Sequence, residues 1–556
     1  MDRFNRRKFI GTGIGGGLAC TTNPVTTLLN LMLMGAASTK LEAAAQGVKR
    51  YIAIQEPGAP PRWMSDLLLN PFNEAGFVAN PYMGTVYKKV GGRYVEVDYQ
   101  LKSIGGYLLP PMWGFNLPTP GSATVQLSSI LKNILHIRGM DMGIGAHNFA
   151  QRLQFLPSGA ARSNSALTAE ISDMPFAAIN LRTTEYLFKS VDTIMYTNLS
   201  SADSNKIKEL LQPFSKPNAV LSNAEFNHNL DALSTAIAHA QSKLDMDRSH
   251  NQAEFASVLR SRNDLWKMLR TRYPDPDVEW NALKAKYQLL INRSLGAQYP
   301  GINDAIVGAP ILERTQAKYS QSHLMDKVLV SNTDDLRTMF AGNTQLLDMA
   351  NAYAMIEFAL KNNLSSSLSV GLSGFAKLIL PGHPTRQNVD EHFTGSVLSL
   401  LLNTMRQTAV ASCTLELVSV LKDLSIFEDT VIDLHGEFNR APRKNLSGAD
   451  HAFHGASLML ITGAVQNEPI IVGDIMSDFS NGNATDMYPG TWGNPAPMKG
   501  ILGGKIVPAH KAATLAAIFG VPSPTQTAAS LIEKTGTGTN TTIKLAEGLT
   551  KGKIVV

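Results

Sequence analysis

Apolar positions along the chain follow two periods. Near the start, Lys49–Gln55 (KRYIAIQ) predicts a strand, stopped at once by Glu56-Pro57-Gly58-Ala59-Pro60-Pro61. Residues 75–125 are rich in Gly, Pro and aromatics and show no sustained period, so they predict irregular surface with short strands. Ile134–Arg138 predicts another strand, and a Gly- and Met-rich loop from Gly139 to Gly145 leads from it to Ala146-His147-Asn148. Then the period changes. Phe226, Leu230, Leu233, Ile237, Ala240 and Leu244 recur at spacings of four and three, one apolar stripe on a helix. Phe255, Val258, Leu259, Leu265, Trp266 and Leu269 continue a second helical pattern, which Tyr273-Pro274 ends. Residues 224–295 are therefore expected to form a helical insertion.

The C-terminal half alternates the two periods. Gln345–Lys361 and Val397–Leu424 predict helices, the second apolar along nearly its whole length. Ser366–Leu372, Thr430–Leu434, Leu458–Thr462 and Ile470–Val472 predict strands. Strands alternating with long helices imply a sheet covered on both faces, hence an α/β fold. From Thr525 the chain is rich in Thr, Gly, Ala and Lys, and residues 524–556 are expected to be a mobile tail with at most one short strand. No internal repeat is evident.

The first residues change the picture. Asn5-Arg6-Arg7-Lys8-Phe9-Ile10 carries the twin-arginine export signature, followed by a weakly apolar, Gly-rich stretch to about Ala37. Ala43-Ala44-Ala45 offers a cleavage site, so residues 1–45 are expected to be a signal peptide and the twin-arginine translocon a partner during export. The destination would be the periplasm or the exterior, with no stable membrane span in the mature chain. Gly11-x-Gly13-x-Gly15-Gly16 lacks the preceding strand that a dinucleotide-binding turn requires.

Charge and cysteine content exclude further classes. The net charge is +5 over 556 residues. Arg3, Arg6, Arg7, Lys8 and Lys40 against Asp2 and Glu42 leave residues 46–556 near +2, and no basic face interleaved with aromatics appears, which argues against a nucleic-acid partner. Cys20 falls in the leader. Cys413 remains alone in an apolar run that reads as helix interior, so the fold must rest on its core without intramolecular disulfides.

Candidate chemistry concentrates late in the chain. Of twelve histidines, five lie between residues 383 and 454. Three groups stand out: Asp390-Glu391-His392, His435-Gly436-Glu437-Phe438-Asn439-Arg440, and Asp450-His451-Ala452-Phe453-His454. In open α/β sheets the carboxyl ends of the strands form the binding crevice. Imidazole and carboxylate together suit Zn, Mn, Fe or Ni in a mixed N/O site. Arg440 and Arg443 have the fork geometry for a phosphate, sulfate or carboxylate. The plain alternative is that these are capping and loop residues with local hydrogen bonds.

These motifs resemble those of the exported bacterial domain-of-unknown-function 1501 family, in the alkaline phosphatase-like superfamily. The family's Ser-His-x-x-Ala-Gln corresponds to Ala146-His147-Asn148-Phe149-Ala150-Gln151, and its Asp-Thr-His to Asp390-Glu391-His392. Its Ser-Glu-Phe-Gly-Arg-Thr-Pro corresponds to Gly436-Glu437-Phe438-Asn439-Arg440-Ala441-Pro442, and its Gly-x-Asp-His to Gly448-Ala449-Asp450-His451. Thr514–Pro522 resembles the closing helix. The likeness spans about residues 50–523 and implies a three-layer α/β/α sandwich of alkaline phosphatase-like type over residues 46–523, with the helical insertion inside it.

The resemblance implies that Asp390, His392, Glu437 and His451 hold a divalent metal, that His147 orients substrate or transfers a proton, and that Arg440 steadies an anion. Ser65 would be the nucleophile and Glu56 or Asp66 a substitute ligand, because the aspartate expected after the first strand is missing. Phe438 stands where active enzymes usually have a second histidine. Two functions follow as expectations: a metal-dependent hydrolase of small anionic phosphate or sulfate esters, or a non-catalytic exported binding or structural protein of the envelope that keeps the fold.

Overall fold

Residues 50–55 form a strand in which every side chain is buried, so this segment lies at the centre of a sheet and not at its edge. A computed structural model of the chain describes residues 48–59, 86–90, 93–97, 102–104, 107–109, 111–199, 276–296, 344–372, 396–442, 449–473, 475–476, 494–495, 497–536 and 542–549, except positions 173, 175, 184, 193 and 195. The expected leader, Ser65, Asp66, Asp390, His392 and the two helical stripes between 224 and 270 lie outside them.

Ten strands define the frame: β1 (Arg50–Gln55), β2 (Ile134–Met140), β3 (Ile179–Leu181), β4 (Thr197–Leu199), β5 (Ser367–Gly371), β6 (Thr430–His435), β7 (Asn439–Pro442), β8 (Ala449–Ala452), β9 (Ala456–Ile461) and β10 (Ile470–Val472). Eight make one sheet in the order β4-β3-β5-β1-β6-β9-β2-β10. All run parallel except β9, which pairs antiparallel with both β6 and β2. β7 and β8 form a separate antiparallel ribbon. The fold is mixed α/β with a large, mostly parallel sheet, as the alternating periods predict.

Side chains alternate between the two faces of the sheet. Ile52 and Ile54 of β1 join Ile432 and Leu434 of β6 in one core, with α2 (Pro276–Gly296), α3 (Thr344–Lys361) and α4 (Ser396–Asp423) over them. Tyr51, Ala53 and Val431 enter the opposite core, under α1 (His147–Phe155) and α5 (Pro508–Phe519). α5 begins with Pro508 in its first turn and ends at Gly520 with φ 70°, a left-handed stop that glycine takes without strain. Gly371 ends β5 for a different reason. A Cβ there would lie 2.5 Å from the Arg182 carbonyl oxygen, so only glycine admits this approach.

The described part of the expected insertion, α2, is helical, and its Trp280, Leu283, Tyr287, Leu290 and Ile291 are buried against the layer formed with α3 and α4. Two expectations change. Within 75–125, Leu109, Met112, Trp113 and Leu117 are fully buried core residues and not irregular surface. Turn residues around them hid apolar side chains that have no period to reveal them. Residues 524–536 and 542–549 likewise do not trail away. Ile532–Thr535 pairs antiparallel with Thr542–Leu545, and Leu531, Ile532 and Ile543 are buried in the core of α5. The Leu531 amide donates to Thr514 Oγ1 at 2.9 Å. A few apolar residues suffice for one packed face, although the bulk composition is that of a linker.

Candidate functional site

Because seven strands point the same way, their carboxyl ends share one edge, and the antiparallel β9 starts there, with Ala456 opposite Met140. Glu56 follows β1, Asp141 follows β2, Gly436-Glu437 follow β6, and His454 precedes β9. α1 begins on the chain leaving β2, which brings His147 to the same edge.

Glu437 is fully buried. Its Oε1 accepts from the Gly58 amide at 2.9 Å and lies 2.5 Å from His147 Nδ1. Its Oε2 is buried and has no hydrogen-bond partner. His147 packs edge-on to the His451 ring at 4.6 Å and against Phe438 at 4.8 Å, and Phe438 lies 4.5 Å from His451. The structure thus gathers His147, Glu437 and His451 around the buried Phe438.

Arg440 has a backbone-holding role beside the one expected of it. It is fully buried, its Nε donates to the Ala59 carbonyl at 2.9 Å, and its Nη2 donates to the Gly58 carbonyl at 2.9 Å. Nε and Nη2 thereby hold the turn after β1. The turn needs holding: Gly58 has φ 91° and Ala59 φ 47°, and the latter is strained for a residue with a Cβ. Glu56, a substitute metal ligand by resemblance, is tied to α4 through one oxygen. Its Oε2 accepts from Arg406 Nη1 at 2.7 Å and Gln407 Nε2 at 2.8 Å, both on α4, and all three residues are buried.

A second buried layer lies beneath the edge. Asp433 of β6 meets Lys511 of α5 at 2.6 Å, accepts from the Tyr51 hydroxyl at 2.6 Å, and lies 3.0 Å from His435 Nδ1. All four side chains are fully buried. Burial opposes ionisation of Asp433, but His435 and Lys511 outweigh it and hold the carboxyl well below its ordinary value. Burial lowers Lys511, and Asp433 partly restores it. Lys511 also donates to Gln154 Oε1 at 2.9 Å, and Gln154 Nε2 donates to the Gly436 carbonyl at 3.2 Å, so the network reaches the peptide that precedes Glu437. Sequence reasoning named His435 but missed Asp433, Lys511 and Gln154. Polar residues inside apolar runs, such as Asp433 in TVIDLH, were the available signal.

No family model, curated protein or solved structure matches the chain. The donor chemistry is the remaining guide. Among the described residues no group of three or more His, Cys, Asp or Glu side chains is set to hold a metal ion. Glu437 and His451 are two of the four expected donors, and Asp390 and His392 lie outside the described residues. The bare Glu437 Oε2 fits a cation: a buried carboxylate oxygen without a donor is costly until one is supplied. Among the described residues no helix is long and apolar enough to cross a membrane.

Proposed function

We propose that this chain is an exported protein of alkaline phosphatase-like type whose carboxyl-edge centre binds a divalent metal, zinc or manganese, and hydrolyses phosphate or sulfate esters. The observation that carries the reading is Glu437. It is a fully buried carboxylate with one oxygen saturated by His147 and the Gly58 amide and the other without a hydrogen-bond partner. Glu437 would hold the metal through Oε2, with His451 beside it and Asp390 and His392 as the further donors that the resemblance implies. A bound divalent cation would supply charge for activating water and neutralising an oxyanion. His147, oriented through Nδ1 by Glu437, would hold or move a proton at Nε2. Ser65 remains the nucleophile by resemblance, and the leader Asn5–Ile10 supports export through the twin-arginine translocon to the periplasm or beyond.

The test is elemental mass spectrometry on the exported protein beside Glu437→Gln and His451→Ala, together with turnover of p-nitrophenyl phosphate and p-nitrophenyl sulfate. About one or two metal ions per chain, lost in both variants along with turnover, are the expected outcome. Folded protein without metal and without turnover would sink the reading.

A second reading has its own support. Arg440 spends two donors on backbone carbonyls, Glu56 is tied to Arg406, and Phe438 fills the place of a histidine. A chain with these features would keep the fold as a non-catalytic binding or structural protein of the envelope. Metal that binds without any ester turnover would favour it.

A further inference from the structure

Three consecutive residues at the end of β6 are each gripped by another element. The His435 carbonyl accepts from the Glu56 amide at 2.9 Å, just past β1. The Gly436 carbonyl accepts from Gln154 Nε2 of α1 at 3.2 Å. The Glu437 carboxylate accepts from the Gly58 amide at 2.9 Å and lies 2.5 Å from His147 Nδ1. His147 and Gln154 both belong to α1 and stand seven positions apart, so they share one face of that helix, two turns from each other. One meets the Glu437 side chain and the other meets the peptide before it.

Gln154 is only 1% exposed, and its carboxamide is itself oriented. Its Oε1 accepts from Lys511 Nζ at 2.9 Å. An ammonium has no acceptor, so this contact settles which end of the carboxamide is oxygen and turns the amide end to Gly436. Met142 Sδ lies 3.7 Å from the same Nε2. Lys511 is held in turn by Asp433 at 2.6 Å. The Gln154 carbonyl accepts from Asn164 Nδ2 at 2.8 Å, which ties down the end of α1.

We propose that Gln154 is a positioning residue for the carboxyl-edge centre: through the Gly436 carbonyl it holds Glu437 where the Gly58 amide and His147 take Oε1 and Oε2 is left for a ligand. A buried carboxylate keeps a fixed place only if its backbone does, and outer partners of this kind set how well a site binds. Gln154 acts only through Gly436. Its effect on metal binding rests on the reading of Glu437 given above, whereas its effect on the contact between Glu437 and Gly58 does not.

The experiment uses the full chain and the variants Gln154→Glu and Gln154→Met. Glutamate keeps an oxygen for Lys511 and, ionised beside that cation, has no donor for Gly436. Methionine fills similar space and removes both contacts, while Lys511 keeps Asp433 and the main-chain carbonyl of residue 154, 3.3 Å away. Leu290→Ala, in the core on the other face of the sheet, is the comparator for lost stability alone. Circular dichroism confirms folding, and two quantities are read: amide exchange at Gly58 without metal, and zinc affinity by chelator competition. Both Gln154 variants are expected to speed Gly58 exchange about tenfold and to weaken zinc by about 10- to 100-fold at unchanged stoichiometry, with Leu290→Ala near wild type in both. Wild-type exchange at Gly58 in the folded Gln154 variants, an equal acceleration in Leu290→Ala, or zinc held as tightly as by a wild type that binds it would each overturn the proposal. A wild type that binds no zinc defeats the metal reading alone, and Gly58 exchange then decides the role of Gln154 by itself.

Discussion

Ala59 and Arg440 show how much one residue's conformation depends on another's side chain. The sequence EPGAPP announces a turn, but not that Ala59 adopts φ 47° or that a guanidinium 381 positions away accepts the task of holding it. Two predictions belong here. Ala59→Gly removes the Cβ that makes this conformation costly and should stabilise the protein by about 1 kcal/mol in urea unfolding. Arg440→Ala leaves two buried carbonyls without their donor and should cost about 3 kcal/mol. If Arg440 were instead an anion clamp, its loss would weaken substrate binding and leave stability nearly untouched. His147 and Glu437 were both legible as candidates, because their motifs stand in order along the chain. Their 2.5 Å contact was not, since it joins residues 290 apart.

At the scale of elements, the informative unit is β6 with α5. TVIDLH reads as a buried strand, and it is one, with every residue inside. Asp433 and His435 then require partners in the core, and α5 supplies Lys511. Removing one member of a buried pair strands the other, so Asp433→Asn should destabilise the protein by about 3–5 kcal/mol. Asp433→Asn with Lys511→Met should cost much less than the sum of the two single changes, by double-mutant cycle. The pH dependence has a definite sign. The folded Asp433 carboxyl lies below its unfolded value, so the unfolded chain takes up this proton first as pH falls. The contribution is complete above about pH 5 and is lost progressively below the ordinary carboxylate value near pH 4. Urea midpoints measured from pH 7 to pH 3 should fall more steeply for the wild type than for Asp433→Asn.

The whole molecule is a sheet with one loaded edge. Parallel strands leave their carboxyl ends together, and the reversed β9 returns the chain to that edge with His454 leading it in. The C-terminal hairpin belongs to this body. Deleting residues 524–556 uncovers the face of α5 that Leu531, Ile532 and Ile543 bury, and should cost about 5 kcal/mol and lower Tm measurably. A truncated chain with unchanged Tm would show that the hairpin contributes nothing to the core.

The sequence by itself determined the kinds of element and their rough places. Period-2 and period-3.6 patterns are local, and β1, β2, β5, β6, β9, β10, α3 and α4 follow from them within a few residues. It also marked Glu437 just past the end of β6, and singled out His147 and His451 by their motifs. Only the tertiary structure decided which of these side chains meet. It turned Arg440 inward to the Gly58 and Ala59 carbonyls, tied Glu56 to Arg406, and joined Asp141 to His454 and Asp433 to Lys511. The reason is physical. Periodicity reports which face of an element avoids water, whereas a hydrogen bond or ion pair depends on distances of a few ångströms between segments that strand order alone brings together.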